Sequence, residues 1–130
     1  QAVGLQSAVT DQLAVARYLA TCDLDAHIAH VVEVYRERRN AMADGLVRRL
    51  PEGATVTRPE GGMFLWVALG DGTDTAASLS TAVDAGVAYV PGWSFFAADP
   101  DRSTMRLSFV TNAPRVIEDG LDRLAGALDW

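Results

Sequence analysis

Thr104 to Phe109 reads TMRLSF, and within it one residue could do chemistry. Met105, Leu107 and Phe109 alternate with Thr104, Arg106 and Ser108, the period-2 pattern of a strand with one apolar and one polar face. Arg106 therefore belongs in mid-strand on the polar side. Two roles fit it: a surface arginine facing water, or a planar cationic fork facing a cleft and awaiting an anion. The paired glycines Gly61 and Gly62, in the turn RPEGG, also admit two roles. They can supply the positive φ that a turn needs, or they can let backbone approach a ligand closely. Other candidates read as structural. His27 and His30 stand at i,i+3 without a third ligand at metal spacing, so no metal centre is expected. Asp71 and Asp74 do not fit a calcium-loop spacing and read as turn and cap residues. The single cysteine, Cys22, excludes an internal disulfide and any cysteine-based metal cluster, and reads as a small helix-end residue.

One absence restricts the chemistry further. All eleven positively charged residues are arginine. Without lysine the chain cannot form a Schiff base with a carbonyl substrate or with pyridoxal phosphate.

The elements that must position these residues can be read in order. A helix is expected over Ser7–Thr21, with Ser7 as N-cap and Val9, Leu13, Ala16 and Leu19 or Ala20 on one stripe. The opening QAVGLQ has no cap, staple or strand pattern and reads as the cut edge of something longer. A second, long helix runs from about Leu24 to Leu50, capped by Asp23 or Asp25 and ended by Pro51 and Gly53. Its apolar face is Ile28, Val31, Val32, Tyr35, Met42 and Leu46, while Arg36, Arg38 and Arg39 with Glu33 and Glu37 read as a solvated face with local ion pairs. Ala54, Val56 and Met63–Leu69 then flank RPEGG as a hairpin, and MFLWVAL, apolar on both faces, belongs at the centre of a sheet covered on both sides.

A helix over Thr75–Ala85 follows, capped by Asp74 or Thr75, with Leu79, Ala82 and Val83 inward and Gly86 as its stop. Val87–Val90 reads as a short strand, and the loop aromatics of WSFF are expected to pack onto another surface. After the Arg106 strand comes a last helix from about Pro114, capped by Asn112, with Ile117, Leu121, Leu124 and Leu128 inward. The sum is an α+β two-layer domain: a short, mixed, mostly antiparallel sheet with helices packed on one face and a long N-terminal helix.

Composition sets the outer limits. The 130 residues suit one compact domain with a real core. A net charge of -6 argues against a nucleic-acid surface, and the apolar runs are too short to span a membrane, so a cytoplasmic protein is expected.

Taken together, RPEGGMFLWVAL, then DTAASLSTAVDAGVAYVPGWSFF, then MRLSF before a helix, resemble the C-terminal small domain of fold-type-I, pyridoxal-phosphate-dependent class I/II aminotransferases. Within these the chain is most similar to the 2-aminoadipate and aromatic aminotransferase-like branch. The resemblance covers essentially the whole chain. It implies that residues 1–22 follow a large domain and that residues 23–130 form the small domain, with the long helix as connector. It further implies that Arg106 binds the α-carboxylate of the amino-acid substrate and that Gly61 and Gly62 lie near the cleft, which favours the cleft role for Arg106. The parent would be a homodimer acting on amino acids and 2-oxo acids through pyridoxal phosphate. The family's catalytic lysine and most cofactor-binding groups lie upstream, so this chain by itself would be inactive, would bind no cofactor and could self-associate. An alternative parent is a winged-helix transcriptional regulator whose aminotransferase-like domain senses a ligand.

Overall fold

The structure, a computed structural model, describes residues 8–70 and 72–130. Ser7 and Asp71, expected as cap and turn residues, lie outside them. The chain packs as two units, Gln1–Glu33 and Val34–Trp130, and the boundary falls inside a helix.

In the first unit, α1 spans Val9–Thr21 and ends at Cys22, whose N–H donates to the Tyr18 carbonyl at 2.8 Å. Cys22 is thus the helix-end residue its position suggested. The stripe of Val9, Leu13 and Leu19 is exposed, and no residue of α1 is buried. α2 spans Leu24–Val47. Asp23 caps it, its Oδ1 accepting the Ala26 N–H at 2.9 Å, which satisfies one of the orphan donors of the first turn. The helix stops at Val47 because residues 48–50 tighten into a turn ahead of Pro51, which cannot continue it. Of its expected apolar face, Ile28 and Val32 are exposed, whereas Met42 and Leu46 are buried with Ala43 and Gly45.

The second unit is built on a four-stranded sheet of order β1-β2-β4-β3, comprising β1 Thr55–Val56, β2 Phe64–Ala68, β3 Val90–Pro91 and β4 Thr104–Ser108. All three pairings are antiparallel, which corrects the expected mixed sheet. The reason lies in topology. The connection from β2 through α3 (Leu79–Asp84) returns β3 parallel to β2, but β4 inserts between the two and pairs antiparallel with each. β2 is central, as MFLWVAL suggested, yet only one of its faces is fully covered. Leu65 and Val67 are buried, while Phe64 is exposed and Trp66 half-buried.

Leu65, Val67, Met105 and Leu107 share one core with Met42, Ala43 and Leu46 of α2, Ala82 of α3, and Ile117, Leu121 and Leu124 of α4 (Pro114–Leu128). Leu128 and Trp130 pack at its edge. Asn112 does not cap α4. Ala113 holds the N-cap position without a side-chain bond, and Pro114 at the first turn has no N–H that needs one. Val83 is exposed because α3 is short and turns only Ala82 fully inward. The strand expected over Val87–Val90 is shorter and later: pairing begins at Val90 and extends through Pro91, a residue an edge strand tolerates.

Candidate functional site

The sheet face opposite the core carries the candidate site. Antiparallel register places Trp66 directly across from Arg106 on one side and Val90 across from it on the other. Phe64, two residues before Trp66, projects to the same face. The guanidinium carbon of Arg106 lies 4.1 Å from the Phe64 ring centroid and 4.6 Å from that of Phe95. Two rings thus flank one cation, each contact contributing about 0.5–2 kcal/mol.

Phe95 arrives from the 3-10 turn Gly92–Phe95, which directly follows β3. It meets Trp66 edge-on, with centroids 5.7 Å apart, and Phe96 meets Trp66 at 6.2 Å. Phe95 and Phe96 thus touch the chain's own sheet through Trp66, not another surface, and Trp93, Phe95 and Phe96 all stay exposed.

Inside this aromatic sleeve Arg106 Nε is buried without a hydrogen-bond partner among the described residues. Native folds satisfy nearly all such donors, and an unmet one costs about 1–3 kcal/mol. The residue as a whole is half-buried, so it still reaches the surface. Aromatic faces contact the flat sides of a guanidinium and leave its in-plane N–H groups free to donate. A planar cation of this kind, where it reaches the surface, is complementary to an oxyanion.

Behind the site a buried polar knot fixes the start of β4. The Thr75 hydroxyl donates to the Thr104 carbonyl at 2.7 Å, the Thr75 N–H donates to the Arg102 carbonyl at 3.0 Å, and the Tyr89 hydroxyl donates to the Thr75 carbonyl at 2.7 Å. Burial, with the nearby Asp74 charge adding to it, pushes the Tyr89 phenol up to about 12. Asp74 caps the turn after it, accepting the N–H groups of Ala76 and Ala77 at 2.9 and 3.3 Å, and pairs with Arg102 at 2.8 Å. The Arg102 hydrogen bond is the main reason its carboxyl lies below the usual range.

Gly61 and Gly62 are exposed in the bend just before β2. Gly62 has φ +83°, the left-handed region, so the turn alone accounts for it. Gly61 is not at positive φ, and a Cβ there would meet nothing in the chain, so neither backbone nor space within these residues calls for glycine. Both glycines sit at the end of the sheet where β2 begins beside the end of β4.

Two arginines of α2 correct the solvated-face reading. Arg38 and Arg39 are half-buried, and they donate to backbone carbonyls of Val110 and Pro59 respectively, the latter at 3.0 Å. Sequence periodicity could not foresee this, because both acceptors are main-chain atoms. The walls of the site were also missed, although one signal for them existed: alternation along MFLWVAL puts Phe64 and Trp66 on one face. His27 packs edge-on against Tyr18 with centroids 6.5 Å apart, and among the described residues no group of acids, histidines and cysteines is placed to hold a metal.

Residues 3–124 match the aminotransferase class I and II family. The chain belongs to that family. It is 42% identical over 125 residues to aromatic-amino-acid aminotransferase 1 of Thermococcus litoralis, covering 96% of this chain and 30% of that protein. Among solved structures it is similar to the kynurenine aminotransferase of Pyrococcus horikoshii, with pyridoxamine phosphate, at TM-score 0.78 and 42% identity, covering 87% of this chain and 28% of that one. It is also similar to the α-aminoadipate aminotransferase of Thermus thermophilus complexed with N-(5'-phosphopyridoxyl)-L-leucine, at TM-score 0.69 and 40% identity, covering 75% and 25%. The chain thus spans under a third of each of these relatives.

Proposed function

We propose that this chain is the small domain of a pyridoxal-phosphate-dependent aminotransferase, in which Arg106 binds the α-carboxylate of the amino-acid substrate. The observation that carries the reading is the placement of Arg106, half-buried on the sheet face opposite the core with its guanidinium against the rings of Phe64 and Phe95. A carboxylate presents two oxygens in one plane, which is the shape a guanidinium fork accepts. In this reading residues 1–22 follow the large domain, residues 23–130 form the small domain, and α2 connects the two. The whole protein moves an amino group between an amino acid and a 2-oxo acid as a homodimer. The relatives reported above are aminotransferases by name, which favours the enzyme over the ligand-sensing regulator.

The residues of this chain supply no covalent anchor for the cofactor. With no lysine in the sequence, the amine that would anchor pyridoxal phosphate is not among them. When bound elsewhere in the protein, the cofactor supplies the electron sink for amino-group transfer. The contribution of this chain is binding and orientation. Arg106 fixes one end of the substrate, and a substrate held at its carboxylate presents its Cα in one orientation. Phe64 and Phe95 stack on the guanidinium and lower the polarity around the charge, which strengthens the pairing.

The test is Arg106→Ala in the full-length enzyme with pyridoxal phosphate, using L-phenylalanine and L-2-aminoadipate as donors. Losing charge-assisted bonds of about 1.5–3 kcal/mol should raise KM by roughly tenfold to a hundredfold. Unchanged KM and kcat would remove Arg106 from the site.

A further inference from the structure

Two consecutive arginines of α2 grip one end of the sheet. Arg38 donates to the carbonyl of Val110, where the chain leaves β4. Arg39 donates through Nη1 to the carbonyl of Pro59, at 3.0 Å, where the chain approaches β2. Its Nε and Nη2 fork onto the Asn40 Oδ1 at 3.1 and 2.8 Å, which fixes the plane of the guanidinium. One residue earlier, Arg58 pairs with Asp44 of α2 at 2.6 Å. The base of the RPEGG turn is therefore tied to the helix at two successive residues. Its tip is not: Gly61 and Gly62 have open space around them.

The ends that these arginines hold are joined to each other and to Arg106. The Phe109 N–H donates to the Met63 carbonyl at 3.3 Å, and the next residue, Phe64, stacks on the Arg106 guanidinium. From Arg39 to the anion fork the path runs through Pro59, the two glycines, Met63 and Phe64. A main-chain carbonyl held by a forked cation is a firm anchor, whereas a tip containing two glycines has little stiffness of its own.

We infer that Arg39 is a positioning residue for the amino-acid site: by holding the Pro59 carbonyl it sets where the Gly61–Gly62 turn and Phe64 stand relative to Arg106, and hence the affinity for the substrate carboxylate. The inference rests on the proposal that Arg106 binds that carboxylate. Arg39 touches no substrate and acts only through the turn.

The experiment compares Arg39→Ala, Arg39→Lys, Asn40→Ala and Arg106→Ala in the full-length enzyme with pyridoxal phosphate and L-phenylalanine or L-2-aminoadipate, reading KM, kcat and melting temperature. Arg39→Ala should raise KM by about tenfold with kcat within about twofold, the signature of lost ground-state binding. Arg39→Lys, which keeps a single donor for Pro59, should recover most of that loss, and Asn40→Ala, which frees the plane of Arg39, should lie between. An unchanged KM in Arg39→Ala, with or without a lower melting temperature, overturns the inference and leaves a structural role. Should Arg39→Ala not fold, Asn40→Ala decides, and a wild-type KM there overturns it equally. Arg106→Ala separates the two readings. If it raises KM and Arg39→Ala does not, only the positioning role fails; if Arg106→Ala leaves KM unchanged, the carboxylate site itself fails.

Discussion

Tyr89 shows how a single buried hydroxyl ties the site to its support. It donates to the Thr75 carbonyl, and Thr75 in turn bonds the carbonyl of Thr104, two residues before Arg106. Tyr89→Phe leaves a buried carbonyl without that donor and should cost about 1–3 kcal/mol, read by urea unfolding. The same substitution tests the pH behaviour. The folded-state value of about 12 lies above the usual 10, so the folded chain holds this proton more tightly than the unfolded chain does. Its contribution is complete below pH 10 and is lost as pH rises from there through about 12. Stability of the wild type should fall across that window, and Tyr89→Phe should flatten the fall. A residue-scale role of this kind is hard to see in a sequence, because AYV alternates equally well in a strand that pairs at Tyr89 and in one that does not. Arg106 was easier, since alternation needs only neighbours. The two rings around it come from segments far apart in the chain, and no local pattern records their meeting.

At the scale of elements, the turn after β3 lies tight against the start of β4. A Cβ on Gly92 would lie 2.1 Å from Thr104 Oγ1 and 2.9 Å from the Thr104 carbonyl carbon, so side-chain rotation cannot clear it. Thr104 Oγ1 is itself committed to the Asp101 carbonyl at 2.8 Å. Gly92→Ala should therefore cost about 1–3 kcal/mol, as overpacking usually does, and lower the melting temperature. Pro91 itself pairs within β3, so the reason for the glycine after it is a neighbour known only in three dimensions. Elements whose burial repeats locally were legible: α4 buries Ile117, Leu121 and Leu124 as its spacing indicated. The sheet was less so. Strand order depends on β4 inserting between β2 and β3, which no pattern within a strand encodes.

For the molecule as a whole, the tie between the turn after α2 and α4 gives stability a dependence on acid. Arg49 pairs with Glu118 at 2.9 Å and with Asp122 at 2.7 Å, and Arg48 reaches Glu118 at 2.7 Å. The Arg49 hydrogen bond is the main cause that holds the Asp122 carboxyl below its usual value, and the same bond raises Arg49. A depressed folded-state value means that the contribution is present above the ordinary carboxylate range and is lost as pH falls through the folded-state value. Thermal melts of Asp122→Asn against wild type should differ at neutral pH and converge in acid; curves that stay parallel would rule this tie out as a source of acid sensitivity. The sheet face carrying Arg106 has one further consequence. Trp66 stands opposite Arg106 in register and touches both Phe95 and Phe96, so a fluorophore is already built into the wall of the proposed anion site. With Trp93 and Trp130 replaced by phenylalanine, the remaining indole emission comes from that wall alone, and the arrival of a carboxylate becomes an optical signal that needs no label and no turnover.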